Sequence, residues 1–137
     1  MSFVFKVATP DGVAYQDSIQ KVSVPTQSGE IVILEGHGQL VSTIGSGELI
    51  ITKEDGHEVA LAITGGVLEV RVTGELYILA DNAERADHID IERAEMARAR
   101  AEELLTQQEN IADVDFARIQ SMLDREMTRI SVGNKYK

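Results

Sequence analysis

No cysteine occurs among the 137 residues, which excludes disulfides, thiolate chemistry and any cysteine-based zinc site. A reducing, cytoplasmic compartment suits such a chain. Long apolar runs are missing too. Nothing approaches the roughly 20 residues needed to span a bilayer, and the opening Met1-Ser2-Phe3-Val4-Phe5-Lys6 has no basic start or apolar stretch of a signal peptide. The expectation is a protein that meets a membrane only through another protein. Positive charge is scarce: 13 Lys and Arg stand against 23 Asp and Glu, a net charge of −10. That balance repels duplex nucleic acid and anionic lipid alike. No Gly-rich loop links a strand to a helix, so there is no P-loop and no dinucleotide fingerprint. His37, His57 and His88 are scattered, without nucleophile-elbow or helical metal-ligand spacing. No set of residues supplies nucleophile, base and orienter together. No internal repeat or low-complexity segment is present.

What is there divides near residue 86. Before it, short apolar runs are punctuated by glycine; after it come about fifty residues rich in Ala, Glu and Arg whose only glycine is Gly133. Residues 1–83 hold eleven carboxylates against Lys6, Lys21, Lys53 and Arg71, whereas residues 84–137 hold twelve carboxylates and nine bases. We expect two domains, 1–86 and 87–137. In the first, strands are predicted at 3–8, 13–18, 21–25, 29–34, 40–44, 48–53, 58–64, 66–72 and 75–80. The turns between them include Gly36-His37-Gly38, Asp55-Gly56, Gly65-Gly66 and Thr73-Gly74. Asp55-Gly56 signals a tight hairpin in which both central residues need positive φ. Val67-Leu68-Glu69-Val70-Arg71-Val72 alternates, placing Leu68, Val70 and Val72 on one face. Short strands with hairpin links and no intervening helices predict an antiparallel β-sandwich or flattened barrel.

Beyond the break the period changes. Ile91, Ala94, Ala97, Ala101, Leu104 and Leu105 follow helical steps from about Asp87 to Gln108, with Asp87 or Asp90 as the N-cap. Residues 109–113 read as a loop with Asp113 as the next cap. A second helix carries Phe116, Ile119, Leu123, Met127 and Ile130 and ends near Gly133. The whole reads as an antiparallel two-helix hairpin. Its first helix offers mainly alanine, and at roughly 0.8 kcal/mol per buried methylene-sized group the seam is worth only a few kcal/mol. Isolated helices of this length are marginal in water. A weak seam with more than one available partner is what a two-state switch requires. Arg93 and Arg100 share a face of helix one, and Arg125 and Arg129 share a face of helix two. Adjacent faces would bring four guanidiniums onto a polyanion, each able to donate twice to phosphate oxygens. The alternative for these side chains is a solvated face with intrahelical pairs such as Glu126 with Arg129.

Several stretches match a known family in its order and spacing. They are Val24-Pro25-Thr26 followed by Gly29-Glu30-Ile31, Leu34 with Gly36-His37, Gly65-Gly66-Val67-Leu68-Glu69-Val70, Leu79-Ala80-Asp81-Asn82-Ala83-Glu84-Arg85, and Asp113-Val114-Asp115-Phe116. Over nearly its whole length the chain resembles the epsilon subunits of bacterial F-type ATP synthases. Gly38-Gln39 departs from the Ala-Pro common in that family and bears on the docking loop rather than the fold. The resemblance implies an N-terminal β-sandwich with a C-terminal helical hairpin, and a non-catalytic rotor part of the central stalk on the cytoplasmic face of the bacterial plasma membrane. Implied partners are the gamma subunit and the c-subunit ring, with alpha and beta subunits when the helices extend; nucleic acid and direct membrane insertion are not implied. Glu30 and His37 match the family's ring-facing loops. Extended helices would oppose ATP hydrolysis, and forty-odd helical residues at about 1.5 Å each reach roughly 65 Å. Ile89-Asp90-Ile91-Glu92-Arg93-Ala94 fits the ATP-binding motif of some members, Ile/Leu-Asp-x-x-Arg-Ala. Carried over, it suggests an ATP site of Glu84, Ile89, Asp90, Arg93, Ala94, Arg100, Arg125 and Arg129, with ATP as a regulatory ligand and no metal or cofactor required. A free-standing ATP-sensing module is the alternative, and an enzyme acting on a small acidic ligand the weakest reading.

Overall fold

The computed structural model describes residues 2–107 and 113–136. Seven strands form the first part: β1 (Phe3–Thr9), β2 (Gly12–Thr26), β3 (Gly29–Leu34), β4 (Leu40–Thr43), β5 (Gly47–Lys53), β6 (Glu58–Val70) and β7 (Leu76–Arg85). A 3-10 turn at Ala86–His88 leads into α1 (Ile91–Gln107) and then α2 (Asp113–Lys135). The expected loop at 109–113 lies outside the described residues except for Asp113, the first residue of α2, and so does the cap expected of the Asp113 side chain.

The strands close on themselves. β1 pairs with β2 and with β7, β7 with β6, β6 with β5, and β5 with β2, while β3 extends from β2 and β4 from β6. Closure removes the edges of the five strands β1, β2, β5, β6 and β7 and leaves open edges on the short β3 and β4. One pairing departs from the antiparallel expectation: β1 runs parallel to β7, with Phe5 opposite Leu76 and Val7 opposite Ile78. Those segments lie some seventy residues apart, and turn chemistry specifies only neighbouring strands.

Inside the ring, Phe5, Val7, Ile19, Val22, Leu49, Ile51, Leu61, Ile63, Leu68 and Leu76 are fully buried in one cluster. Strict alternation breaks in β2, where the register with β5 slips between Ile19 and Lys21. That bulge lets Ile19 and Val22, three apart, both face inward. The two strands expected at 13–18 and 21–25 are therefore one.

Gly65-Gly66 is likewise no turn; it lies inside β6. There β6 exchanges β5 for β4 as neighbour while β7 stays alongside. Gly65 has φ +65° and Gly66 φ +126°, and a Cβ on Gly66 would lie 2.2 Å from the Leu79 carbonyl oxygen. Only glycine meets both demands. Asp55-Gly56 also differs from expectation. Gly56 alone has positive φ, at +89°. Its N–H donates to Lys53 O at 3.0 Å, while Lys53 N–H donates to His57 O at 2.8 Å. The loop has three residues and one left-handed position. Leu68 and Val70 are buried as the alternation predicts, but β6 ends at Val70 and leaves Val72 exposed.

Asp90 rather than Asp87 caps α1: its Oδ1 accepts from Arg93 N–H at 3.1 Å. Asp87 instead pairs with Arg85. Ile91, Ala94 and Ala101 are buried, and α1 packs along α2. α2 also lies on β6 and β5, so the hairpin is folded down on the strands. Serving two surfaces widens the covered arc of α2. Ile119 is buried as expected and Leu123 and Ile130 half-buried, but Phe116 and Met127 are exposed, while Glu126, Thr128, Val132 and Gly133 turn inward. Gly133 does not end the helix, which continues to Lys135. A Cβ there would sit 2.9 Å from Ile91 Cγ1 and 3.1 Å from Ile89 Cγ2. At Gly133, α2 packs tightly against Ile89 and Ile91 at the start of α1.

Candidate anion-binding cleft under the second helix

Two cross-strand pairs make the floor of a cleft, Ala62 with Glu84 and Thr64 with Asn82. One stretch of α2 makes its roof: Arg125, Thr128 and Arg129, at steps of three and four, face the strands together. The enclosed volume is about 250 Å³. Small side chains at Ala62 and Ala83 leave that room.

Charge inside the cleft is balanced. Arg129 donates through Nε to Glu84 Oε2 at 2.8 Å and through Nη2 to Glu84 Oε1 at 3.4 Å, a two-point contact between α2 and β7. Its Nη1 donates to Glu126 Oε2 at 2.9 Å. Glu126 Oε1 accepts from Arg125 Nε at 3.1 Å. Glu126 is only 2 % exposed, so it joins the two guanidiniums from the covered side. Burial opposes the Arg129 charge, yet the bonds to Glu84 and Glu126 more than compensate and hold its pKa above the ordinary arginine value. Such an array of donors can hold an anionic group, provided the resident carboxylates yield.

The eight residues carried over for an ATP site fall in several places. Glu84, Arg125 and Arg129 line this cleft together. Asp90 is committed to capping α1, Ala94 is buried, and Ile89 packs beside Ala62, Ala86 and Val132. Arg93 is exposed and outside the cleft's lining. Arg100 lines a different opening of about 920 Å³ between α1 and α2, with Arg118, Met96, Leu104, Ile119 and Met122. The expected convergence of four guanidiniums is thus realised for two in this arrangement.

A second group of contacts fixes the end of α2. Lys135 Nζ lies 2.7 Å from Glu48 Oε2 on β5, and Tyr136 OH donates to Glu48 Oε1. Ser46 Oγ donates to Asp124 Oδ2 at 2.7 Å. Sequence reasoning missed Glu48, Ser46 and Asp124, because nothing local marks partners 78 to 88 residues apart. Glu126 was legible only as half of a surface pair with Arg129.

With this geometry in view, the comparisons are decisive. Residues 2–86 match the family model for the ATP synthase delta/epsilon chain, beta-sandwich domain, and residues 87–133 match that for its long alpha-helix domain. The chain belongs to the ATP synthase delta/epsilon chain family. Among relatives of this delta/epsilon chain, the ATP synthase epsilon chain of Bacillus cytotoxicus is 39% identical over 133 residues, 97% of each chain. That of Bacillus licheniformis is 40% identical over 127 residues, 93% of this chain and 94% of its own. The fold is shared with a chain of the Euglena gracilis mitochondrial ATP synthase, solved as an OSCP/F1/c-ring assembly, at TM-score 0.72 and 22% identity over 98% of this chain and 81% of that one. A chain of the Tetrahymena thermophila mitochondrial ATP synthase central stalk and c-ring aligns at TM-score 0.66 and 12% identity, over 97% of both chains.

In this delta/epsilon chain, Glu30 and His37 stand at opposite ends of β3. Glu30, the second residue of the strand, accepts from Ser23 Oγ. His37 is exposed in the turn beyond Leu34, whose carbonyl oxygen accepts its backbone N–H at 3.1 Å, while its Nδ1 donates to Gly38 O at 2.7 Å. Among the described residues, no group of three or more His, Cys, Asp or Glu side chains could hold a metal ion, and no helix is long and apolar enough to cross a membrane.

Proposed function

We propose that this chain is a non-catalytic rotor subunit of an F-type ATP synthase, docking through its β domain and regulating through its hairpin. The observation that carries the reading is the match of both domains, along almost the whole chain, to the delta/epsilon family models. Its partners are then a gamma subunit and a ring of c subunits, the latter met through Glu30 and His37, at the cytoplasmic face of a bacterial membrane. The outer face of the sheet suits docking. Val67 and Leu79 pair directly across β6 and β7 and are 45% and 67% exposed, with Val41 on β4 at 68%. An exposed apolar group of that kind is typical of an interaction surface.

The hairpin is the regulatory element. Its hold on the strands is largely ionic and polar (Arg129 on Glu84, Lys135 and Tyr136 on Glu48, Asp124 on Ser46), beside a small cluster of Ala62, Ala86 and Val132. Contacts of this kind can be exchanged for those of another surface, such as the alpha and beta subunits of the catalytic head. Of the eight candidate ATP residues, Glu84, Arg125 and Arg129 already share the cleft of the folded-down arrangement, and ATP held there would favour that arrangement by mass action. Arg93, Arg100, Ile89, Asp90 and Ala94 would join the site only by a local rearrangement of α1. Deleting residues 88–137 tests the reading. The remaining β domain is expected to bind gamma as before, while ATP hydrolysis by the assembled head rises. Loss of gamma binding would remove the docking role, and unchanged hydrolysis the inhibitory one.

A further inference from the structure

Glu126 is the least expected side chain in the hairpin. It is a carboxylate at 2 % exposure, flanked by the half-buried Arg125 and the exposed Met127. Burying such a charge is costly unless it is paired and hydrogen-bonded. Here both oxygens are engaged, Oε1 by Arg125 at 3.1 Å and Oε2 by Arg129 at 2.9 Å. Those two arginines are also the ones that roof the 250 Å³ cleft. With Glu84 opposite, two carboxylates face two guanidiniums, and the interior has no surplus positive charge with which to attract an anion. Arg125 retains uncommitted donors: among the described residues its hydrogen bonding runs through Nε alone, leaving both terminal nitrogens for an incoming oxygen.

We propose that Glu126 is a built-in counter-anion of the cleft. It positions Arg125 and Arg129 and, by neutralising them, sets how weakly the site takes a polyphosphate. The inference rests on reading this cleft as part of the ATP site. An entering triphosphate approaches the free end of Arg125 first and competes with carboxylates for Arg129. The covered location of Glu126 means that it cannot swing out into water to make way, so its negative charge opposes the ligand throughout. Loss of that charge leaves no guanidinium stranded, because Arg129 keeps Glu84 and the Arg125 side chain is 38% exposed.

The test is calorimetric titration of the full chain with ATP and, separately, with tripolyphosphate, for wild type and Glu126→Gln. Glutamine keeps the shape and removes the charge. We expect both ligands to bind the variant about tenfold more tightly, as befits removal of one like charge within a few ångströms of the site. A steeper weakening with added salt should accompany it, because the cleft then carries net positive charge. Glu126→Ala repeats the experiment with a good helix former should the amide pack badly. Equal or weaker affinity in the charge-free variants overturns the proposal, since a purely structural Glu126 would give that result. Tighter tripolyphosphate binding with no response to ATP in either protein keeps the counter-anion and removes the nucleotide reading. Silence from both ligands in every protein overturns both.

Discussion

Tyr136 shows how much one side chain at a helix end can reveal. Burial beside β5 and then the bond to Glu48 push its phenol up to about 12, and the same carboxylate raises Lys135 above its ordinary value. Both groups are therefore held protonated by the docked arrangement more firmly than when free. A group whose pKa is raised on docking contributes stability below its free value and loses it as the pH climbs through the docked value. Docking of the α2 end should thus be unaffected up to about pH 10 and fade as pH approaches about 12. In Tyr136→Phe the remaining pH dependence should follow Lys135 alone. A fluorescence distance between labels on β5 and the last turn of α2, titrated upward in pH, reads both curves. Identical curves in wild type and variant would remove Tyr136 from the clasp. At the same scale, Gly66 owes its identity to a carbonyl 2.2 Å from where a side chain would begin. No local rule could have supplied that reason.

Among the elements, α2 decides where the hairpin lies. Its two-point contact from Arg129 to Glu84 is the one place in the cleft where helix and strand are joined by charge. Replacing Arg129 with alanine removes that junction and leaves the covered Glu126 with a single partner. The expected cost is about 2 kcal/mol of docking free energy, below the figure for a fully buried pair because Arg129 is 23% exposed. The same labelled pair, followed in urea, measures it; a shift within experimental error would show that the salt link is idle. Local rules carried the sequence reading furthest among such elements. A carboxylate cap at Asp87 or Asp90, the stripe of α1 and the alternation of Leu68 and Val70 follow from nearest-neighbour geometry and were legible, while the choice of Asp90 was not. Whatever depends on distant partners was not. The parallel pairing of β1 with β7, the run of β6 through two glycines and the burial of Glu126 arise from segments that meet only once the chain has folded. The candidate ATP residues were legible as a motif. Their division between two openings, with Asp90 spent on a cap, depends on how the hairpin lies.

As a whole, the molecule joins units of very unequal cohesion. The strands enclose a continuous cluster from Phe3 to Ala80, whereas the junction with the helices gathers little beyond Ala62, Ala86 and Val132. Unfolding is expected in two steps. Helical circular dichroism should be lost at lower urea than the hydrogen-exchange protection of the strand amides around the buried Phe5, Leu61 and Ile63. Superimposed transitions would mean a single cooperative unit. The net charge of −10 adds self-repulsion, and moderate salt should relieve it. The Glu48 clasp has one more consequence. With α1 rooted at the 3-10 turn and the far end of α2 pinned to β5, the helical segment is a strap buckled at both ends. Unfastening the distal buckle alone would let α2 lift progressively from its free end, so force or a competing surface applied there needs to break only one contact at a time.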